Sequence, residues 1–228
     1  MAGSIPARGV YFAMFNLHCH TILSDGELIA SEVAVRFAAA GYKVIAITDH
    51  TDYSNIKANV EAVLEFTNHW PKKSSLKVLP GIELTHIPPE QFKPLSNYAR
   101  SKGIKIIVGH GETTTEPVTI GTNRAALDAD IDILAHPGLI TDSDVRLAKK
   151  RGIFLELTSR KGHSNTNTHV AIKAISAGAP LVLSIDSHTP EDIITPEELR
   201  KVGVGAGLTL AQVDQIIASV EVFLKKRL

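Results

Sequence analysis

Lys43-Val44-Ile45-Ala46-Ile47-Thr48-Asp49-His50 sets the pattern for the chain. Its apolar run is short and rich in the β-branched residues that suit a buried strand. Residues 27–40, just before it, have helical apolar spacing and stop at Gly41, a residue well suited to closing a helix. Residues 55–68, just after it, read as a second helix that ends ahead of Trp70-Pro71. The unit is therefore helix, buried strand, polar strand end, helix.

The same unit recurs in both directions. Strands are expected over residues 11–17, 76–84, 105–109, 131–135, 153–157 and 180–185 as well as 43–48. Helices are expected over 88–102, ending at Gly103, then 119–128, then 142–151, ending at Gly152, then 166–177, ending at Gly178. A last amphipathic helix is expected over 209–226. Strands alternating with helices predict an α/β fold, a parallel sheet with helices outside it. About seven such units favour a closed or nearly closed barrel. The alternative is a doubly wound open sheet, but no Gly-rich phosphate loop of the dinucleotide type follows any strand. No linker or low-complexity segment divides the 228 residues, so one domain over 1–228 is expected.

Composition narrows the function classes. Lys+Arg number 24 and Asp+Glu number 24, so the formal net charge is zero, which disfavours long nucleic acid as a partner. Aromatic residues are 5% of the chain, too few for a base-stacking platform. The one cysteine, Cys19, rules out an intramolecular disulfide and fits a reducing compartment. No secretory signal pattern or membrane-length apolar run is visible, so a soluble cytoplasmic protein is expected, with no membrane partner.

Ten histidines stand out, and their positions matter more than their number. His18 and His20 follow the first apolar run, and Asp49 and His50 the second. The third closes on Glu83, the fourth on His110 and the fifth on His136; the sixth contains Glu156, and the seventh leads to Asp186 and His188. In α/β barrels the C-terminal strand ends are where sites are built. Residues i and i+2 of a strand share a face, so His18 with His20, and Asp186 with His188, can grip one ion together. Cys19 then faces the helices as a small buried hydrophobe. Taken singly, these residues read as hydrogen-bonded polar groups, a cap, or, for Asp25, a turn residue. Their recurrence at one rim changes that reading, because burying so many ionisable groups without a cation is costly. His69 and His169 fall in helix patterns and read as solvated or capping. His86 and His163 lie near the rim.

His18-Cys19-His20-Thr21 with Ser24-Asp25-Gly26 resembles the first motif of the PHP (polymerase and histidinol phosphatase) superfamily. Ile47-Thr48-Asp49-His50-Thr51 resembles its second, and Gly81-Ile82-Glu83, Ala135-His136-Pro137-Gly138 and Ile185-Asp186-Ser187-His188 resemble the later ones, in the family's order. The resemblance implies a distorted seven-stranded (βα) TIM-like barrel holding two or three divalent transition metals, Zn, Mn or Fe. It implies one ion on His18, His20, Glu83 and Asp186. Glu83 would bridge to a second ion on His110 and His136. A third would sit on Asp25, His50 and His188. The length resembles the small free-standing phosphoesterases, of which histidinol-phosphate phosphatase is the best-known type.

Such a cluster suits hydrolysis of a small phosphomonoester by a metal-activated hydroxide, since the cations neutralise phosphoryl oxygens and acidify a bound water. Asp49, beside His50, is expected either to fix a ligand or water for catalysis or to cap a loop. Arg160 is expected to grip the substrate phosphate with its planar fork, with Lys161 and His163 also on the substrate and Asn165 nearby. The rival readings are a phosphodiesterase or nuclease for small or single-stranded substrates, a non-catalytic metal-binding module, and an amidohydrolase-like C–N hydrolase. The last typically uses a bridging lysine, where this chain has Glu83.

Overall fold

The computed structural model describes residues 14–228. Residues 11–13 of the expected first strand lie outside them. The strands are β1 (Phe15–Asn16), β2 (Val44–Ile47), β3 (His50–Thr51), β4 (Lys77–Leu84), β5 (Ile106–His110), β6 (Ile133–Ala135), β7 (Phe154–Thr158) and β8 (Leu181–Ser184). All neighbours pair in parallel, in the order β1-β2-β4-β5-β6-β7-β8, and β3 also pairs with β4. β2 and β3 continue in one register, Ile47 opposite Pro80 and His50 opposite Glu83, so β3 extends the strand expected over 43–48. The result is a nearly closed barrel of seven parallel strands alternating with helices, the distorted (βα)7 form.

Closure is made just beyond the named strands. The amide of His20 donates to Ser187 O (2.9 Å) and that of Asp186 to His18 O (3.0 Å). The side chain of Asn16 completes the seam, accepting from the Ile185 amide (2.8 Å) and donating to His18 O (2.9 Å). The strands are buried on both faces, as expected for a parallel sheet covered by helices, which is why they read as continuous apolar runs. Cys19 is fully buried in this core, and its thiol donates to Ala46 O (3.2 Å).

The helices are α1 (Ala30–Ala40), α2 (Ile56–His69), α3 (Phe92–Lys102), α4 (Thr122–Asp128), α5 (Asp142–Arg151), α6 (Asn167–Ala177), α7 (Pro196–Gly205) and α8 (Leu210–Leu224). Four of them end where the sequence predicts, at Gly41, Gly103, Gly152 and Gly178. Three starts differ, two of them because polar groups hold the preceding residues in a loop. Residues 27–29 precede α1 rather than joining it, with the Glu27 amide bonded to His188 O (2.8 Å). α4 begins at Thr122 because the Glu112 carboxylate accepts from the amides of Gly121 and Asn123, both at 2.9 Å. The start of the helix expected at residue 88 is instead a single 3-10 turn, Pro89–Gln91. α7 is absent from the sequence reading, because Gly203 and Gly205 obscure its period. A capping box of Thr195 and Glu198 starts it, and Gly203 fits where any Cβ would press on Val213.

At the N-terminal end of the barrel, Asp132 precedes β6 with its carboxylate buried. It accepts from the Ile107 amide (2.8 Å) and from Arg100 Nη2 (2.8 Å), and it pairs with Arg227. Among the described residues no helix is long and apolar enough to cross a membrane.

Candidate metal centre

Because every strand runs the same way, the polar strand ends meet at one rim. His18 and His20 follow β1, His50 opens β3, Glu83 lies near the end of β4, and His110 ends β5. His136 follows β6, while Asp186 and His188 follow β8. Asp25 reaches the rim from the loop after His20. That loop needs glycine at position 26, where a Cβ would lie 2.7 Å from the backbone carbonyl of His20. The tight fold-back carries Asp25 Oδ1 to 3.3 Å from both His50 Nε2 and His188 Nε2.

Among the described residues five overlapping groups of donor residues form, and three of them make up the centre of the rim. His18, His20 and Asp186 make one; Glu83, His110 and His136 make a second; Asp25, His50 and His188, joined by His20, make a third. Two donors on one ion, each about 2.1 Å from it, lie about 3.0–3.4 Å apart. His18 Nε2 is 3.4 Å from Glu83 Oε1 and 3.5 Å from Asp186 Oδ1, and His20 Nε2 is 3.2 Å from Asp186 Oδ1. Glu83 therefore stands between the first two groups, where a bridge has to stand. The chain leaves His18 Nε2, both ring nitrogens of His20, Glu83 Oε1 and His136 Nδ1 buried with no hydrogen-bond partner. Buried lone pairs are seldom left unmatched, so these residues fit a divalent cation better than a bare polar core.

Electrostatics tell the same story. Burial alone would lower His18, but Asp186, Glu156 and Glu83 outweigh it and raise its pKa well above the usual value. His50, against the same opposing burial, is raised to about 10 by Glu83 and Asp25. Burial, aided by the imidazoles of His50, His18 and His188, pushes His20 down to about 3. Glu83 and Asp186 are held far below the carboxylate range despite burial, chiefly by His18, with His50 also acting on Glu83. Without cations, protons on imidazoles balance the carboxylates.

Supporting groups aim the donors. Glu156, in β7, accepts at 2.7 Å from His18 Nδ1 and at 2.9 Å from the amide of His136, turning His18 Nε2 to the centre. His110 Nδ1 bonds Gly111 O (3.0 Å), turning Nε2 to the rim, where it meets Glu116 Oε2 at 3.1 Å. Among the described residues the non-glycine positions with left-handed backbone are His86 (φ 52°), His136 (φ 25°) and Asp186 (φ 59°). Such strain gathers at functional sites, where the surroundings enforce it.

Asp49 is buried behind the rim. One oxygen accepts from the Thr21 amide (2.7 Å) and Ser24 Oγ (2.8 Å), the other from Thr21 Oγ1 (2.9 Å). These bonds cap the loop and tie down the turn that presents Asp25. Arg160 stands at the rim, its Nε 3.9 Å from Asp186 Oδ2 and its Nη1 3.5 Å from Asp192. His163 is buried beside His136, ring centroids 4.2 Å apart, with Nδ1 2.7 Å from Thr113 Oγ1. Lys161 and Asn165 are exposed, and Lys161 makes no hydrogen bond or ion pair among the described residues. His69 is exposed and His169 bonds Ile140 O, in keeping with helix roles. Sequence reasoning passed over Glu116, whose carboxylate lies within 3.3 Å of His86, His110 and His163. A lone acid in a loop has no periodicity to reveal it.

A parallel barrel whose rim converges imidazoles and carboxylates on orphaned lone pairs defines a class, the metal-capable (βα) barrels. Within that class the chain belongs to the PHP family, whose PHP domain model matches residues 16–113. An uncharacterized protein of Methanocaldococcus jannaschii is 42% identical over 219 residues, 94% of this chain and 99% of that one. A probable phosphatase of Thermoanaerobacter sp. is 25% identical over 86% of this chain and 87% of its own length. The DNA polymerase/3'-5' exonuclease PolX of Bacillus subtilis is 27% identical over 77% of this chain, which spans 34% of that protein. Among solved structures, an Arabidopsis N6-mAMP deaminase superposes with a TM-score of 0.55 at 19% identity, over 77% of this chain and 52% of the other, a likeness of fold.

Proposed function

We propose that the chain is a metal-dependent phosphatase acting on a small phosphomonoester. The observation that carries this is the rim itself: buried donor atoms without partners, beside the guanidinium of Arg160. Membership of the PHP family and the probable phosphatase relative support phosphoesterase chemistry. An imidazole and carboxylate set suits Zn²⁺, Mn²⁺ or Fe²⁺ better than Ca²⁺. Bound on these residues, two or three such ions would neutralise phosphoryl oxygens and supply a water acidic enough to react near neutral pH.

The remaining work belongs to the chain. His18, His20, Glu83 and Asp186 hold one position, Glu83, His110 and His136 a second, and Asp25, His50 and His188 a third. Glu156 fixes the face that His18 presents, and Asp49 fixes the loop that carries Asp25. Arg160 receives the phosphate on the same rim, with His163 placed to meet the rest of the substrate and Lys161 adding positive charge outside it. Balanced net charge favours a small substrate over a long polyanion.

The test is metal analysis joined to a hydrolysis screen after reconstitution with Mn²⁺ or Zn²⁺, comparing a monoester and a diester with one leaving group. Monoester preference is expected. Arg160→Ala should raise KM about tenfold with kcat little changed, as for loss of a ground-state phosphate contact. Diester preference would move the substrate to small nucleotide diesters, and a protein that binds no metal would sink the reading.

A further inference from the structure

We propose that Glu116 is an exchangeable ligand of the second ion, occupying the position that the substrate phosphoryl group takes. The inference rests on the metal centre described under the proposed function. It starts from His110, whose Nδ1 is committed to Gly111 O, so that only Nε2 can bind a cation. His110 belongs to two donor groups, Glu83–His110–His136 and His86–His110–Glu116, and with Nδ1 committed only Nε2 is left to serve either. One lone pair serves one ion, so the two groups converge on one position rather than two.

The spacing agrees. Glu116 Oε2 is 3.1 Å from His110 Nε2, the separation of two donors on a common cation. The same oxygen is 3.1 Å from His86 Nε2, and Oε1 is 3.3 Å from His163 Nε2. Three imidazoles thus hold the carboxylate over the second position. The His86 backbone supplies an independent sign. It adopts the left-handed conformation that, among non-glycine described residues, is otherwise found only at His136 and Asp186, both in the donor groups. Strain of this kind persists where surrounding structure enforces it, and here it points the imidazole at Glu116.

Exposure separates Glu116 from the permanent donors. Its side chain is 38% exposed on the loop after β5, whereas that of Glu83 is fully buried. A catalytic ion with three protein donors keeps one position open, and two anionic oxygens, carboxylate or phosphoryl, compete for it. The exchange breaks one metal–oxygen contact and makes another, with no change of oxidation state. The freed carboxylate stays beside His86 and His163. Glu112 pins the start of the loop to α4 and Thr113 ties it to His163, so only the tip has to move.

The experiment is titration calorimetry of the full chain with Mn²⁺, then with inorganic phosphate on the ion-saturated protein, for wild type, Glu116→Gln and Glu116→Asp. Circular dichroism confirms that the variants are folded. For Glu116→Gln, one ion is expected to bind about 10–100-fold more weakly and phosphate about tenfold more tightly. Glu116→Asp, which keeps the charge, should hold that ion more tightly than Glu116→Gln. Unchanged ion affinity in Glu116→Gln, or phosphate binding no tighter than wild type, overturns the assignment while leaving the metal centre intact. A wild type that takes up no ion overturns the proposed function itself.

Discussion

Asp132 and Glu83 are both buried carboxylates of one barrel, at opposite ends. Asp132 has a backbone amide and two arginines around it, all supplied by the chain. Glu83 has Thr85 and His50 on one oxygen and no hydrogen-bond partner on the other. The lower acid is neutralised by permanent cations, as expected where a barrel end serves stability. The upper one faces groups that can give up their protons, as expected where the barrel end serves function. The comparison shows that burial and charge do not by themselves mark a site. What marks it is an acid whose balance the polypeptide leaves to something else.

That contrast can be broken most severely at Glu83. Glu83→Gln removes the charge between two donor groups and should lower the proposed phosphatase activity by about a thousandfold or more, with loss of bound metal and little loss of fold. Kinetics with metal analysis checks it, and retained ions would show that the two ends do not differ in kind. The opposite signature is expected below. Asp132→Asn should cost about 2 kcal/mol in urea unfolding, through weakened charged hydrogen bonds to Arg100 and Arg227, with ion content and kcat/KM unchanged.

The smallest effect is one of protons. His18 and His50 carry raised pKa values in the metal-free chain, so at pH 7.5 ion binding should release about two protons, read as buffer-dependent heats in calorimetry. The sign for stability follows from His50, raised from the usual value of about 6.5 to about 10. Its contribution is full below pH about 6.5 and is lost as pH rises towards about 10. Thermal melts of the metal-free chain should fall across that window. A flat profile would remove the imidazole–carboxylate balance inferred for the upper end.

Much of this architecture is legible in the sequence, for identifiable reasons. Apolar runs bounded by glycine mark strands and helix ends, and polar residues recurring after each run mark the rim. The i, i+2 pairing of His18 with His20 follows from strand geometry alone. Other features depend on chain segments far apart in sequence. Glu116 meets His86 and His163 only because three loops converge. Asp49 could be weighed as loop cap or catalytic aid, and its bonds to Thr21 and Ser24, far away in sequence, are seen only in the fold. Glu156 reads as one more buried acid until His18 is seen against it. α7 hides because its Gly203 makes room for Val213 and Leu183, a packing reason invisible to periodicity.

The seam that closes the barrel has its own consequence. First and last strands are joined by a few bonds among residues 16–20 and 185–187, and these same residues include His18, His20 and Asp186. An ion gripped from both sides of that seam would act as a rivet. Loading the site would then also fasten the circumference of the molecule, so that the proposed activity and mechanical integrity would be acquired in a single event.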